Sequence, residues 1–498
     1  MKKIRGGICL LLCLALLMPA VSLEAATSLS EERRIAREAL AQVLDEIPLV
    51  KDPDSVDYLR ALGDRLVRQL DNNLFTYHFW LVDVQVLNAF ALPAGYIFMF
   101  SGMFTALESE DELAGILAHE IAHSHMHHVV RRLDKSEGAQ KLSLVGMLVG
   151  ALLGALGGGA LAGAAILGSV AGGVQSQIAF TREYEEEADY YGFLLMTKAN
   201  FAGEGMVKSF GRLWQQERIT GGSSIPDYLR THPASAARME RMEAMLARRP
   251  QESIHTNNHE FLRIKTRLQA LYSNSADAYD FFRSQVRQYP DSYLANYGLA
   301  LVEIRQGNYA QAQSIMPKLY TLWPDGKSFV DKLQADIYSL SGDYSAAARI
   351  YQQVVTRRPS DREALSGLAE NQIRLNMFND AIGNLDKVLR INPQDDEARY
   401  NLGMALGRLG RQDEASAQLG MAFFQRKNAN AATYHLQRAS QNLPEGSELR
   451  EQADQALERM GDRDMGKDER RIRQEERLDE NEARVWRSVP PPPWHGES

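Results

Sequence analysis

The stretch ILAHEIAHSHMHHVV, residues 116–130, holds five of the chain's 11 histidines within ten residues. His119, Glu120 and His123 match H-E-x-x-H. Residues four apart on a helix are neighbours, so the imidazoles of His119 and His123 can face one metal ion. Glu120 follows the first of them, where a carboxylate can take a proton from a water held at that ion and act as general base. Catalytic zinc takes three protein ligands and keeps a further position for water, so a third ligand must come from elsewhere in the chain. His125, His127 and His128 lie beyond the motif, and no acid follows His123 as Glu120 follows His119. These three are read as solvated or packing residues, with extra metal affinity as the alternative.

The stretch TREYEEEADYYGF, residues 181–193, offers the missing acid. Glu185 and Asp189 lie four apart on one helical face. That spacing resembles the Glu-x-x-x-Asp of gluzincin peptidases, in which the glutamate binds zinc and the aspartate orients a ligand histidine. Glu183, Glu186 and Glu187 are expected as solvated acids. Further stretches extend the likeness: NAFALPAGYIFM (88–99) before the histidine helix, HEIAH on it, and THPASAARM (231–239) after it. With these the chain resembles the M48 family of zinc metallopeptidases, in the branch with C-terminal tetratricopeptide repeats. The resemblance implies one zinc per chain held by His119, His123 and Glu185, with Glu120 as general base and Asp189 fixing His119. It implies that His232 can reach the zinc as a fourth, gating ligand, and it makes Arg238 a candidate for transition-state or structural contacts. It also makes the 88–100 stretch an edge strand on which an extended substrate adds through main-chain bonds; a core strand with a turn is the alternative.

Several elements must position these residues. From Ser28 to Leu70 the pattern is helical, with Ser30 before Glu31 and Glu32 as an N-cap and Pro48 and Pro53 breaking the run. Residues 75–104 are rich in aromatic and β-branched side chains, with turn signals at Asn88 and Pro93–Gly95, and read as two or three strands. Glu110 to Leu133 is helical, as is Arg182 to Arg249 apart from TGGSSIPDYLRTHP (220–233). Residues 142–181 carry ten glycines and no charge until Arg182. This insert departs from the family pattern. It reads as a buried or surface-docking hairpin, with membrane contact as the alternative.

Beyond residue 255 the chain becomes periodic. Pro290, Pro324, Pro359 and Pro393 are spaced 34, 35 and 34 apart, and Ala278, Ala312, Ala347, Ala381 and Ala415 repeat at 34, 35, 34 and 34. Ala335, Tyr338, Gly342, Tyr344, Ala347, Tyr351 and Pro359 sit at the offsets of a tetratricopeptide repeat. Each repeat is a helix pair that buries its apolar face by stacking on a neighbour. The predicted fold is therefore mainly α (α+β). A zincin-like metallopeptidase domain with a small sheet (27–254, including the 142–181 insert) precedes an α-solenoid of tetratricopeptide repeats (255–445), then a charged helix and a proline-rich tail (446–498).

The 498-residue chain is 45% hydrophobic and 24% charged, ordinary globular values, and its net charge of −8 gives no support for nucleic-acid binding. Residues 1–26 join a basic end to a short apolar run and small residues, as in a secretory signal peptide, with a retained anchor as the alternative. Cys9 and Cys13 lie inside it, so the mature protein is expected to be cysteine-free. The resemblance implies a Gram-negative periplasm, unfolded or misfolded outer-membrane proteins as clients, and the β-barrel assembly machinery as partner of the repeats. The expected function is gated, zinc-dependent endopeptidase quality control of that assembly. Two rivals stand beside it: a chaperone-like repeat adaptor with a mostly latent protease site, and a membrane-associated protease using residues 142–181.

Overall fold

The computed structural model describes residues 28–134, 180–219, 227–233, 235–248 and 258–464. The expected signal peptide with Cys9 and Cys13, all of the glycine-rich insert except Phe180 and Thr181, and the prolines 490–493 lie outside these residues. Among the described residues no helix is long and apolar enough to cross a membrane.

The first helix, α1 (Leu29–Glu46), is capped by Ser28 rather than by Ser30: the Ser28 hydroxyl accepts the Glu31 N–H at 3.2 Å. Starting two residues earlier brings Leu29 into the core. Helix α2 (Pro53–Val67) opens with Asp52 accepting the Ser55 N–H at 3.0 Å, and Pro53 takes the first turn, where no N–H is needed. Three strands follow: β1 (His78–Val82), β2 (Ala89–Leu92) and β3 (Tyr96–Phe100). Their order is β1-β3-β2, with β1 parallel and β2 antiparallel to β3. The NAFALPAGYIFMF stretch is thus an edge strand joined to a central one. Ala94 (φ 59°) and Gly95 (φ 89°) make the turn between them, and the Gly95 N–H donates to Ser124 Oγ at 2.8 Å.

Strand alternation sorts the side chains. Val82, Phe90, Phe98 and Phe100 face Ile35, Ala39 and Val43 of α1, while Phe79, Leu81, Ile97 and Met99 join the main core with Leu113, Ile116, Leu117 and Ile121. Those last four lie on α4 (Glu110–His125), which follows the short α3 (Ser101–Ala106). Ser109 caps α4, and Glu110, Asp111 and Glu112 place negative charge at its N-terminus. Every residue of α4 from Asp111 to Ser124 is buried, so it is the central helix of this half of the molecule.

Around α4 stand α5 (His128–Asp134), α6 (Arg182–Lys198), α7 (Glu204–Ile219), α8 (Asp227–Thr231) and α9 (Ala236–Arg248). Two glycines allow close approach. A Cβ on Gly115 would meet the Met206 Cα of α7 at 2.7 Å, and one on Gly192 of α6 would meet the His119 backbone nitrogen at 3.0 Å.

The C-terminal half is a run of helix pairs: α10 (His259–Tyr272) with α11 (Ser275–Gln288), α12 (Tyr293–Arg305) with α13 (Tyr309–Leu322), and α14 (Lys327–Leu340) with α15 (Tyr344–Arg357). Next come α16 (Arg362–Arg374) with α17 (Phe378–Ile391), α18 (Asp396–Arg408) with α19 (Gln412–Gln425), and α20 (Ala429–Asn442) with α21 (Glu448–Asp464). The five periodic alanines from Ala278 to Ala415 are all buried, so each marks a close helix contact. The four periodic prolines lie just after α11, α13, α15 and α17. The charged segment after residue 446 begins with α21, whose Ala453 and Ala456 are buried in one cluster with Leu436 and Ala439 of α20.

The repeats close onto the N-terminal half through a buried ionic cluster. Asp52 pairs with Arg267 at 2.6 Å, and Asp54 with Arg263 at 2.6 Å and Lys332 at 3.1 Å. Asp57 accepts from Arg362 at 3.0 Å. The start of α2 is therefore seated in the repeat array by charge.

Candidate active site

His119 and His123 project from adjacent turns of α4, Glu185 from α6, and His232 from the residue just after α8. One donor atom from each lies within 4.8 Å of the other three, and all four residues are buried. His123 Nε2 is 3.0 Å from His119 Nε2 and 3.4 Å from Glu185 Oε1. His232 Nδ1 is 2.9 Å from Glu185 Oε1 and 3.3 Å from His119 Nε2, and its Nε2 is 3.5 Å from Glu120 Oε1. Glu120 is fully buried, and among the described residues neither of its carboxylate oxygens has a hydrogen-bond partner. Buried carboxylates without donors are costly. Three imidazoles and a carboxylate converging beside them form a donor set suited to zinc.

The electrostatics of His123 and Glu185 fit the same ion. Burial pushes His123 well below the ordinary histidine range, which leaves a neutral ring with a lone pair to give. Burial pushes Glu185 the other way, but Arg238 and His232 outweigh it and hold the carboxyl well below its ordinary range. His232 is raised: burial lowers it, and Glu185 and Glu120 more than offset that.

Asp189 also comes into the site, with Oδ1 3.1 Å from His119 Nδ1. Arg238 grips it with two bonds, Nε at 2.8 Å and Nη2 at 2.7 Å, and its Nη1 lies 2.6 Å from Glu185. In the structure Arg238 thus takes the structural option, as the counter-ion of two buried acids.

Other residues have a place that the sequence did not suggest. Glu187, expected as a solvated acid, is buried and bonds His128 at 2.8 Å and Arg131 at 2.6 Å. The reason is that α6 is enclosed on more than one side, so an acid two residues from Glu185 also faces protein. Glu186 meets the expectation better, pairing with Arg241 at a half-exposed position, and Glu183 is exposed. His127 is buried against Glu32 at 2.7 Å, and His128 is fully buried 3.0 Å from His123; only His125 keeps some exposure. Tyr228, one helical turn before His232, stacks on its ring at 4.6 Å and donates its N–H to the Leu87 carbonyl. Its place at i−4 from His232 was the available signal.

Comparison with known proteins gives the same reading. Residues 53–246 match peptidase family M48, and residues 333–376 and 384–415 match tetratricopeptide repeats. The chain is 28% identical to the putative beta-barrel assembly-enhancing protease of Vibrio cholerae over 80% of this chain and 82% of that one. It is 26% identical to the beta-barrel assembly-enhancing protease of Yersinia pestis over 80% and 82%. It is 33% identical to the mitochondrial metalloendopeptidase OMA1 of Saccharomyces cerevisiae over 32% of this chain and 43% of that one. The mainly helical fold with its small sheet agrees with the sequence reading. The chain is a zinc metalloprotease that carries a family M48 peptidase domain followed by tetratricopeptide repeats.

Proposed function

We propose that this is a gated periplasmic zinc endopeptidase that removes stalled or misfolded clients during outer-membrane β-barrel assembly. The observation that carries the reading is the convergence of His119, His123, Glu185 and His232 beside the unpartnered carboxylate of Glu120. His119, His123 and Glu185 are the zinc ligands, and Asp189, locked by Arg238, orients His119. Zinc, when bound, supplies the Lewis acid that polarises a scissile carbonyl and makes a water acidic near neutral pH. Glu120 would take a proton from the attacking water and give it to the nitrogen of the leaving amine. One C–O bond forms, the C–N bond breaks, and Glu120 ends as it began.

His232 is the gate. Its ring fills the space beside Glu120 and Glu185 that a water and a substrate carbonyl need. The tie from Tyr228 to Leu87 sits at the entry to edge strand β2, where an extended substrate would pair. Residues 1–26 are the cleavable signal peptide, 27–254 the peptidase domain and 255–445 the repeat domain. The names of the Vibrio and Yersinia relatives support a role in β-barrel assembly, the expected signal peptide supports the periplasm, and the repeats offer a stacked helical surface for client or assembly machinery. Residues 142–181 are retained as a candidate peripheral membrane contact.

Elemental analysis beside a cleavage assay on an unfolded substrate tests the assignment. Wild type should hold one zinc per chain, Glu120→Gln should keep it without cleaving, and Glu185→Gln should lose it. A wild type free of zinc sinks the site and leaves the repeat adaptor as the function.

A further inference from the structure

We propose that His128 and Glu187 form a proton-directing relay that commits the Nε2 of His123 to the metal; this rests on His123 being a ligand. His123 Nε2 points into the cluster, and its Nδ1 lies 3.0 Å from His128 Nδ1. Two nitrogens at that distance need one hydrogen between them; two would repel, and none would leave two lone pairs opposed.

A ligand nitrogen must offer a lone pair, so the proton of neutral His123 belongs on Nδ1. It is donated to His128 Nδ1, which is therefore bare. The proton of His128 must then sit on Nε2, 2.8 Å from Glu187 Oε2, and a carboxylate can only accept it. Arg131 Nη1 donates to the same carboxylate oxygen at 2.6 Å. The donors thus have fixed directions: His123 donates to His128, and His128 and Arg131 both donate to Glu187. The opposite tautomer of His123 would set its bare Nδ1 against His128 and turn an N–H toward the other ligands.

The relay is held rigidly. His128 is fully buried and stacks on Tyr184, with ring centroids 4.8 Å apart and planes at 16°. It reaches this seat because His127 takes φ 57° and ends α4, which turns α5 back toward His123. The neighbouring ligand has a parallel arrangement, His119 to Asp189 to Arg238. Each ligand histidine therefore faces a carboxylate held by an arginine, with one extra imidazole inserted on the His123 side. Such supporting groups fix ligand orientation and raise basicity, and their loss typically lowers metal affinity about 10- to 100-fold.

Zinc affinity measured by chelator competition, together with the cobalt(II) spectrum of the metal-exchanged protein, tests the relay. The proteins are wild type, His128→Leu, His128→Gln, Glu187→Gln and His123→Ala. His128→Leu should lose about 10- to 100-fold in zinc affinity and change the cobalt bands. His128→Gln can accept from His123 and donate to Glu187, so it should recover most of both. A leucine variant that binds zinc within about threefold of wild type, or a glutamine variant as weak as leucine, overturns the relay. If His128→Leu does not fold, Glu187→Gln decides: unchanged affinity and spectrum overturn it. If His123→Ala also binds zinc normally, the ligand assignment itself is what fails.

Discussion

Replacing Lys332 with methionine tests whether the repeats are locked to the peptidase half by charge. Lys332 is 2% exposed, and its ammonium meets Glu363 at 2.5 Å, Asp54 at 3.1 Å and Asp361 at 3.3 Å. Arg263, Arg267 and, at Asp361, Arg358 are the other cations, and Asp52 is a further acid. Methionine keeps the apolar stem and its packing, so the change is almost wholly electrostatic. Glu363, Asp54 and Asp361 would then each lose a cation, with Arg263, Arg267 and Arg358 left among them. Removing one partner of a buried ion pair costs about 3–5 kcal/mol, because the charges left behind are neither solvated nor paired.

The pH dependence sharpens the test. Burial pushes the Glu363 carboxyl up to about 7, with Arg267 and Lys332 pulling against it. A raised carboxyl gives stability that is complete below its ordinary value near 4.5 and is lost as pH rises through about 7. A proton held across that interval corresponds to about 3 kcal/mol. Without Lys332 the carboxyl is pushed higher still. The defect of Lys332→Met should therefore be largest at pH 8 and smaller near pH 5, where a protonated Glu363 needs no counter-ion while the ionised Asp54 still lacks one. Urea unfolding of wild type, Lys332→Met and the double variant with Glu363→Gln at both pH values reads this directly, and the double variant should recover much of the loss at pH 8. A loss below about 1 kcal/mol at pH 8, or one equal at both pH values, refutes the argument.

Two further perturbations act on the site itself. His232→Ala should cleave an unfolded substrate at least about tenfold faster than wild type while keeping its zinc, because three ligands suffice for a catalytic site; unchanged cleavage with zinc retained would count against the gate. Gly192→Val should cost about 1–3 kcal/mol of stability, since its Cβ would meet the His119 nitrogen at 3.0 Å and Cα at 3.1 Å. The same push moves α6, with Glu185 and Asp189, away from α4, so zinc affinity should fall as well; calorimetry with a chelator titration would expose a variant that loses neither.

What the sequence made legible follows from how far each feature reaches along the chain. The H-E-x-x-H pair is local geometry on one helix, and the tetratricopeptide period fixes which alanines and prolines recur at helix contacts and ends. Ala278 to Ala415 are buried because every repeat poses the same packing problem to its neighbour. Glu185 and Asp189 were reachable because one helical turn and a family spacing select two acids from five. Glu187 departs from its expectation, and the Asp52–Arg267 pair carries no sequence signal, for a common reason: charged runs are usually solvated, and that expectation fails where two elements distant in sequence bury complementary charges together. Glu187 sits in EYEEEAD like any surface acid, yet its partners are His128 and Arg131, 59 and 56 residues away. Asp52 and Arg267 are 215 residues apart and meet at 2.6 Å. The backbone details that allow such meetings, a left-handed His127 and the Gly192 contact with His119, carry no periodic signal. The proposed ligands therefore declare themselves by type and spacing, whereas the groups proposed to orient them are chosen by the packing of α5 and α6 against α4. A substitution at His128 or Glu187 should accordingly weaken the metal site as much as one nearer the motif, although neither residue lies in it.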